Sequence, residues 1–152
     1  MKRYPYFLVA FLVVLLDQIT KYLARSFISS FETIKILPFL QLVSLRNEGA
    51  AFGMFRSFGN TTFIVISLAA MVFVCYLLLK SSEDRLGLSF ILGGAAGNLI
   101  DRLIFRNVTD FIDVFAGKFH WPAFNIADSA LTVGIAVLLV SALFYHKRES
   151  NA

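Results

Sequence analysis

Two aspartates, Asp110 and Asp128, are the residues of this sequence best suited to chemistry. Asp110 belongs to the polar-aromatic stretch Val108-Thr-Asp110-Phe-Ile-Asp113. Asp128 follows Phe124-Asn125-Ile-Ala and stands at the threshold of Ser129 to Tyr145, a run without formal charge. A carboxylate at the mouth of a membrane helix is expensive to desolvate and marks function more often than accident. Two of them, on segments able to fold back on each other, would share one proton, because neighbouring like charges cannot both ionise cheaply. A proton-sharing acid pair is the machinery of aspartic proteolysis.

Such a pair needs elements to hold it, and the composition says what those elements dissolve in. The 152 residues are 58% hydrophobic and only 16% charged, with mean hydropathy +0.74. Soluble domains carry about 25% charged residues, so a bilayer is the expected solvent. The length suits one domain. The net charge of +4 is modest, and its basic residues flank apolar runs instead of forming a stripe, which argues against nucleic acid as a partner. Cys75 is the sole cysteine and sits in an apolar run, so it is read as a packing residue.

A bilayer core takes about 20 helical residues, and the sequence offers four such spans, at about 6–24, 61–79, 86–104 and 124–145. The first begins like a signal peptide, after Lys2 and Arg3, but Asp17-Gln-Ile-Thr-Lys21 follows where a small-residue cleavage site would stand. Residues 26–60 mix charges, Pro38 and glycines. Their stretch from Thr33 to Ser44 is β-branched and aromatic, which favours short strands in an external segment. Gly49-Ala-Ala-Phe-Gly53 reads as a turn. Residues 107–122 form a connector between the third and fourth spans. Gly93 and Gly97, four apart, suit close packing of membrane helices. The fold class expected is a membrane all-α bundle of four transmembrane helices, with a small external β-sheet cradle and a connector near the site.

Laid antiparallel, the four spans bring the costly groups to one end. Asp17 and Lys21 close the first helix there, one turn apart and within reach of each other. Asn98, Asp101 and Arg102 share a face at the end of the third. Asn125 and Asp128 open the fourth, Asp110 and Asp113 lie between, and Asn47 comes from the external segment. Each has a structural reading alone: Asn125 or Asp128 as an N-cap, Asp101 with Arg102 and Asp17 with Lys21 as interfacial ion pairs. Their convergence points to a polar site at one membrane surface. Lysine and arginine counts leave open which surface it is.

The same residues form five ordered boxes: Asp17-Gln-Ile-Thr-Lys21; Asn47-Glu-Gly49-Ala-Ala51-Phe-Gly53; Gly93-Gly94-Ala-Ala-Gly97-Asn98-Leu-Ile-Asp101-Arg102; Val108-Thr-Asp110-Phe-Ile-Asp113; and Phe124-Asn125-Ile-Ala127-Asp128. With these boxes the chain resembles, over essentially its whole length, the lipoprotein signal peptidase family of bacterial membrane aspartic proteases. Thr109 departs from the pattern, standing where valine is common. The resemblance implies a substrate, a prolipoprotein whose lipobox cysteine carries a diacylglyceryl group, cut just before that cysteine. It implies Asp110 and Asp128 as the catalytic pair, and Asn47, Asn98, Arg102 and Asn125 as polar residues around substrate. Asp17, Lys21 and Asp101 would then be supports. It implies cytoplasmic termini, an active site near the outer face of the inner membrane and a β-cradle outside.

No metal or other cofactor is expected. Only His120 and His146 are present, and His146 falls at the opposite membrane face. His120, beside Trp121-Pro122, is read as an interfacial residue, and Asp113 as a rim residue. Aromatic residues of the external segment and connector (Phe31, Phe39, Phe52, Phe55, Phe115, Phe119 and Trp121) suit interfacial anchoring. Phe52, beside Gly49 and Gly53, would be first among them to clamp acyl chains, and the sequence does not say whether the 49–55 loop moves as a lid. Partners expected are the lipidated precursor and membrane lipid, with the protein a monomer. A serine protease is disfavoured, for no serine stands in a glycine-rich elbow opposite a histidine. The rival from another class is an ion or solute transporter, whose intramembrane carboxylates would lie at mid-bilayer.

Overall fold

A computed structural model describes residues 4–29, 32–49, 59–80 and 84–149. The helices are α1 (Tyr4–Phe27), α2 (Gly59–Lys80), α3 (Arg85–Phe105) and α4 (Ile126–Glu149). All four are long and apolar enough to cross a membrane. The strands are β1 (Ile34–Leu37) and β2 (Leu40–Asn47), between α1 and α2, and β3 (Val108–Ala116) and β4 (Phe119–His120), between α3 and α4. They form one antiparallel sheet in the order β1-β2-β3-β4.

α3 is the hub of the bundle, packing against α1, α2 and α4. Half of its apolar window is buried, against 11% for α2, whose sides are left to face lipid. Small residues make that hub possible. A Cβ on Gly93 would stand 2.7 Å from the Val13 Cβ of α1. One on Gly94 would strike the Ala127 carbonyl oxygen of α4. Gly87 and Gly134 face each other, each with its missing Cβ against the other's carbonyl oxygen, at 2.9 and 2.7 Å. Lipid tails are as apolar as leucine, so close backbone approach, and not the hydrophobic effect, brings such helices together. Gly93 with Gly97 thus does what its spacing suggested, and Gly94 extends the seam.

The sequence reading leaves residues 107–122 as a connector, and here the structure differs. Val108-Thr-Asp-Phe-Ile-Asp-Val-Phe-Ala is a strand in the middle of the sheet, paired with β2 through Leu45↔Asp110, Arg46↔Thr109 and Asn47↔Val108. The β-branched and aromatic residues favour it. Its first four residues are all buried, so it lacks the apolar-polar alternation that reveals a half-buried strand. The turn into β3 comes from Arg106, which takes the left-handed conformation (φ 61°) and donates its N–H to the Arg102 carbonyl at 3.2 Å, closing α3.

Candidate active site

Sheet and bundle meet where α1 and α3 end and α4 begins. Asp110 projects from β3 and accepts two hydrogen bonds, from Asn47 Nδ2 at 2.9 Å and from Asn125 Nδ2 at 2.7 Å. Asn47 lies diagonally across the ladder, so the β2–β3 register delivers it. Asp128 lies in the first turn of α4, where Asn125 is the N-cap. The Asn125 side-chain oxygen accepts the Asp128 N–H at 2.9 Å, and Asp128 Oδ2 accepts the Asn125 N–H at 3.3 Å. This is a reciprocal capping box. Both carboxyls therefore depend on Asn125, which is fully buried.

Behind Asp128 runs a buried chain of polar contacts. Asn98 Nδ2 donates to Asp128 Oδ1 at 2.8 Å, and Asn98 Oδ1 accepts from Lys21 Nζ at 2.9 Å. Lys21 is fully buried and pairs with Asp17 at 2.8 Å and Asp101 at 3.6 Å. Asp17 spends its other oxygen on the Ala127 N–H at the start of α4, at 2.8 Å. Asp101 accepts the Thr109 N–H at 2.9 Å, tying α3 to β3. Two acids and one buried lysine would leave excess negative charge in a dry site. Arg25 balances it, 3.3 Å from Asp101, with its guanidinium over the Phe105 ring at 4.3 Å. Among the described residues, every buried side-chain polar atom has a partner.

The i, i+4 spacing of Asp17 and Lys21 thus appears as an ion pair, whereas Asp101 turns to Lys21 and Arg25 instead of Arg102. Arg102 aims into the open cavity, one nitrogen 3.2 Å from the Gly49 carbonyl oxygen, with the guanidinium 5.1 Å above Phe63. Asp113 is no rim residue. It is buried and takes Gln41 Nε2 at 2.6 Å and His120 Nδ1 at 2.9 Å, so it fastens β2 and β4 to β3. Its place in the middle strand puts both neighbours within reach. Sequence reasoning did not single out Arg25, Gln18 or Gln41. Arg25 was visible as the third member of an Asp17, Lys21, Arg25 stripe at four-residue spacing. Gln18 bridges Asp17 and the Gly97 carbonyl oxygen, each at 3.1 Å. Phe31, Phe52, Phe55 and most of the 49–55 loop lie outside the described residues.

Asn47, Asn98, Arg102, Asp110 and Asp128 line one cavity of about 780 Å³, with apolar walls from α2, α4 and the Trp121–Phe124 connector. That size suits a substantial ligand. Burial, the largest influence, pushes the Asp110 carboxyl up to about 6 from the ordinary 3.8. The Asn47 amide pulls it back, the Asp128 charge adds to the rise, and Asn125 and Lys21 oppose it. A carboxyl poised near neutrality beside a second one can hold a proton or release it at physiological pH.

Fold and site together define a multi-pass membrane protein with a carboxylate pair in an apolar-walled cavity at one end of its bundle. The family model for signal peptidase (SPase) II matches residues 9–144. A lipoprotein signal peptidase of Thermodesulfovibrio yellowstonii is 46% identical over 94% of this chain and 97% of its own length. That of Francisella tularensis subsp. novicida is 40% identical over 97% and 96%. A bacterial membrane enzyme solved by the in meso method at 2.3 Å superposes with a TM-score of 0.86 at 34% identity, covering 97% of this chain and 90% of the other. A second, at 1.9 Å, gives 0.81 at the same identity, covering 91% and 92%. The chain belongs to the signal peptidase II family and is a membrane protease.

Proposed function

We propose that Asp110 and Asp128 form the catalytic dyad of an aspartic endopeptidase that removes signal peptides from diacylglyceryl-modified prolipoproteins, cutting just before the lipidated cysteine. The observation that carries this reading is the shared Asn125, which holds the two carboxyls to one cavity wall by bonding the Asp110 side chain and capping the turn that bears Asp128. Nothing in the geometry favours a transporter: the buried carboxylates gather at one end of the bundle, and no charged residue falls within α2 before Lys80.

An amide resists hydrolysis because water is a weak nucleophile and an amine a poor leaving group. One ionised carboxyl takes a proton from water as it attacks, and the protonated partner supplies a proton to the oxyanion or the departing nitrogen. Arg102, held over Phe63 and aimed at the cavity, suits a substrate backbone carbonyl. Asn47 and Asn98 hold the acids, and Asp17, Lys21 and Asp101 hold Asn98 and the start of α4. The apolar walls suit the two acyl chains, which keep the substrate in the membrane plane.

Residues 1–152 act as one membrane-embedded peptidase domain and as a monomer, since one chain supplies both acids. The protein resides in the bacterial inner membrane, with the dyad near its outer face and both termini cytoplasmic. That orientation suits a precursor whose cleavage site has already crossed. The test is cleavage of a lipidated precursor by Asp110→Asn and Asp128→Asn. Each should lower kcat by at least about 10³-fold, the scale lost when an acid or base group is removed. Near-normal turnover by either would sink the assignment.

A further inference from the structure

Neighbouring residues of a strand point to opposite faces of its sheet, and here the two faces serve two cavities. Asn47, Gly49, Val108 and Asp110 face the catalytic cavity. Arg46, next to Asn47, and Thr109, between Val108 and Asp110, are direct cross-strand partners and open on a second cavity of about 300 Å³ behind the sheet. Arg25 from the last turns of α1 and Asn107 from the exit of α3 complete its polar wall, and Phe105 adds a ring.

The charges in this second cavity are unequal. Arg25 is engaged by Asp101 at 3.3 Å and donates to Thr109 Oγ1 at 2.9 Å. Arg46 is exposed, and among the described residues no carboxylate pairs with it. The cavity thus carries net positive charge, with neutral donors from Ser44 and Asn107 around it. It lies level with the ends of α1 and α3, where apolar helix gives way to sheet.

We infer that this cavity is an anion site for a phosphate group, seated against Arg46 with the Arg25 edge behind it. An arginine fork matches phosphate oxygens in pairs, and the ends of membrane helices lie at the level of the lipid head groups. The shared chemistry is a phosphate group, from an anionic phospholipid or from free phosphate in solution. Arg25 also faces Asp101, so the occupant touches the outer end of the network that supports Asn98 and Asp128 without entering the catalytic cavity.

The experiment is native mass spectrometry of the full chain in detergent, titrated with phosphatidylglycerol or phosphatidylcholine, beside the variant Arg46→Gln. The wild type should retain one phosphatidylglycerol in clear preference to phosphatidylcholine. Arg46→Gln should weaken that retention about tenfold, the scale of one charge-assisted hydrogen bond, while still cleaving precursor. Inorganic phosphate, added to lipid-free protein in a thermal-shift series, separates the sources. Stabilisation of the wild type but not of Arg46→Gln identifies free phosphate as an occupant, and retention of phosphatidylglycerol without that stabilisation identifies the lipid. Equal retention of the two lipids together with no phosphate effect, or an Arg46→Gln protein matching the wild type in both assays, overturns the site.

Discussion

The carboxylate of Asp17 accepts the backbone N–H of Ala127 at 2.8 Å across 110 positions of sequence. One residue of α1 thereby caps α4 at the turn that carries Asp128, while its other oxygen holds Lys21 at 2.8 Å. An anion at a helix N-terminus satisfies orphan N–H groups and complements the dipole. The start of α4 is positioned from outside as well as by its own capping box.

Asp17→Ala should therefore harm both stability and turnover. It strips Lys21 of its shorter ion pair in a fully buried site, a change that costs about 3–5 kcal/mol when one member of a buried pair is removed. Asp17→Asn keeps an oxygen for Ala127 and should be milder. Thermal unfolding in detergent, read beside precursor cleavage, checks the order wild type, Asn, Ala.

The pH profile follows from the direction of the Asp110 shift. Its carboxyl is raised to about 6, so its proton is held below that pH and lost above it. With the singly protonated dyad as the active form, kcat/KM falls as that proton is lost with rising pH beyond about 6, as a macroscopic titration of the pair. The Asn47 amide favours the ionised form, so Asn47→Ala raises the Asp110 pKa further and should move this limb to higher pH. The same shift acts on stability. The folded value lies above the unfolded one, so the contribution is fully present below about 3.8 and lost as pH rises through about 6. A limb that stays put in Asn47→Ala would argue that Asp110 does not set it.

Gly97→Ala tests the packing that holds α1, α3 and α4 in register. A Cβ there would stand 2.6 Å from Asp17 Oδ2 and 3.2 Å from the Ala127 Cβ. Either the carboxylate leaves Ala127 or α4 shifts. A loss of about 1–3 kcal/mol is expected from overpacking, together with a fall in kcat larger than any change in KM. Steady-state cleavage with thermal unfolding separates the two effects.

Asp113 should behave differently from Asp110, three residues away. Asp113→Ala removes the acceptor of Gln41 and His120 and loosens the sheet, so the melting temperature falls by several degrees while cleavage persists at reduced rate. Asp110→Asn should do the reverse, losing cleavage with a smaller thermal change. Complete loss of turnover in a stable Asp113→Ala protein would relocate the acid pair.

Much of this protein was legible in one dimension. The uncharged runs announced the spans, because a bilayer admits little else. Asp17 with Lys21 and Asn125 with Asp128 were readable because helical periodicity and capping act within one turn. Tertiary structure alone decided what depends on distant chain. β3 was hidden because its partner β2 lies some sixty residues earlier and its two aspartates dilute the strand pattern. Arg102 left Asp101 for the cavity because Lys21 and Arg25, on another helix, already occupy that carboxylate. Local rules follow from the backbone's short-range geometry. The sharing of buried Asp101 among α1, its own helix α3 and β3 follows from which surfaces meet, and only the folded bundle decides that.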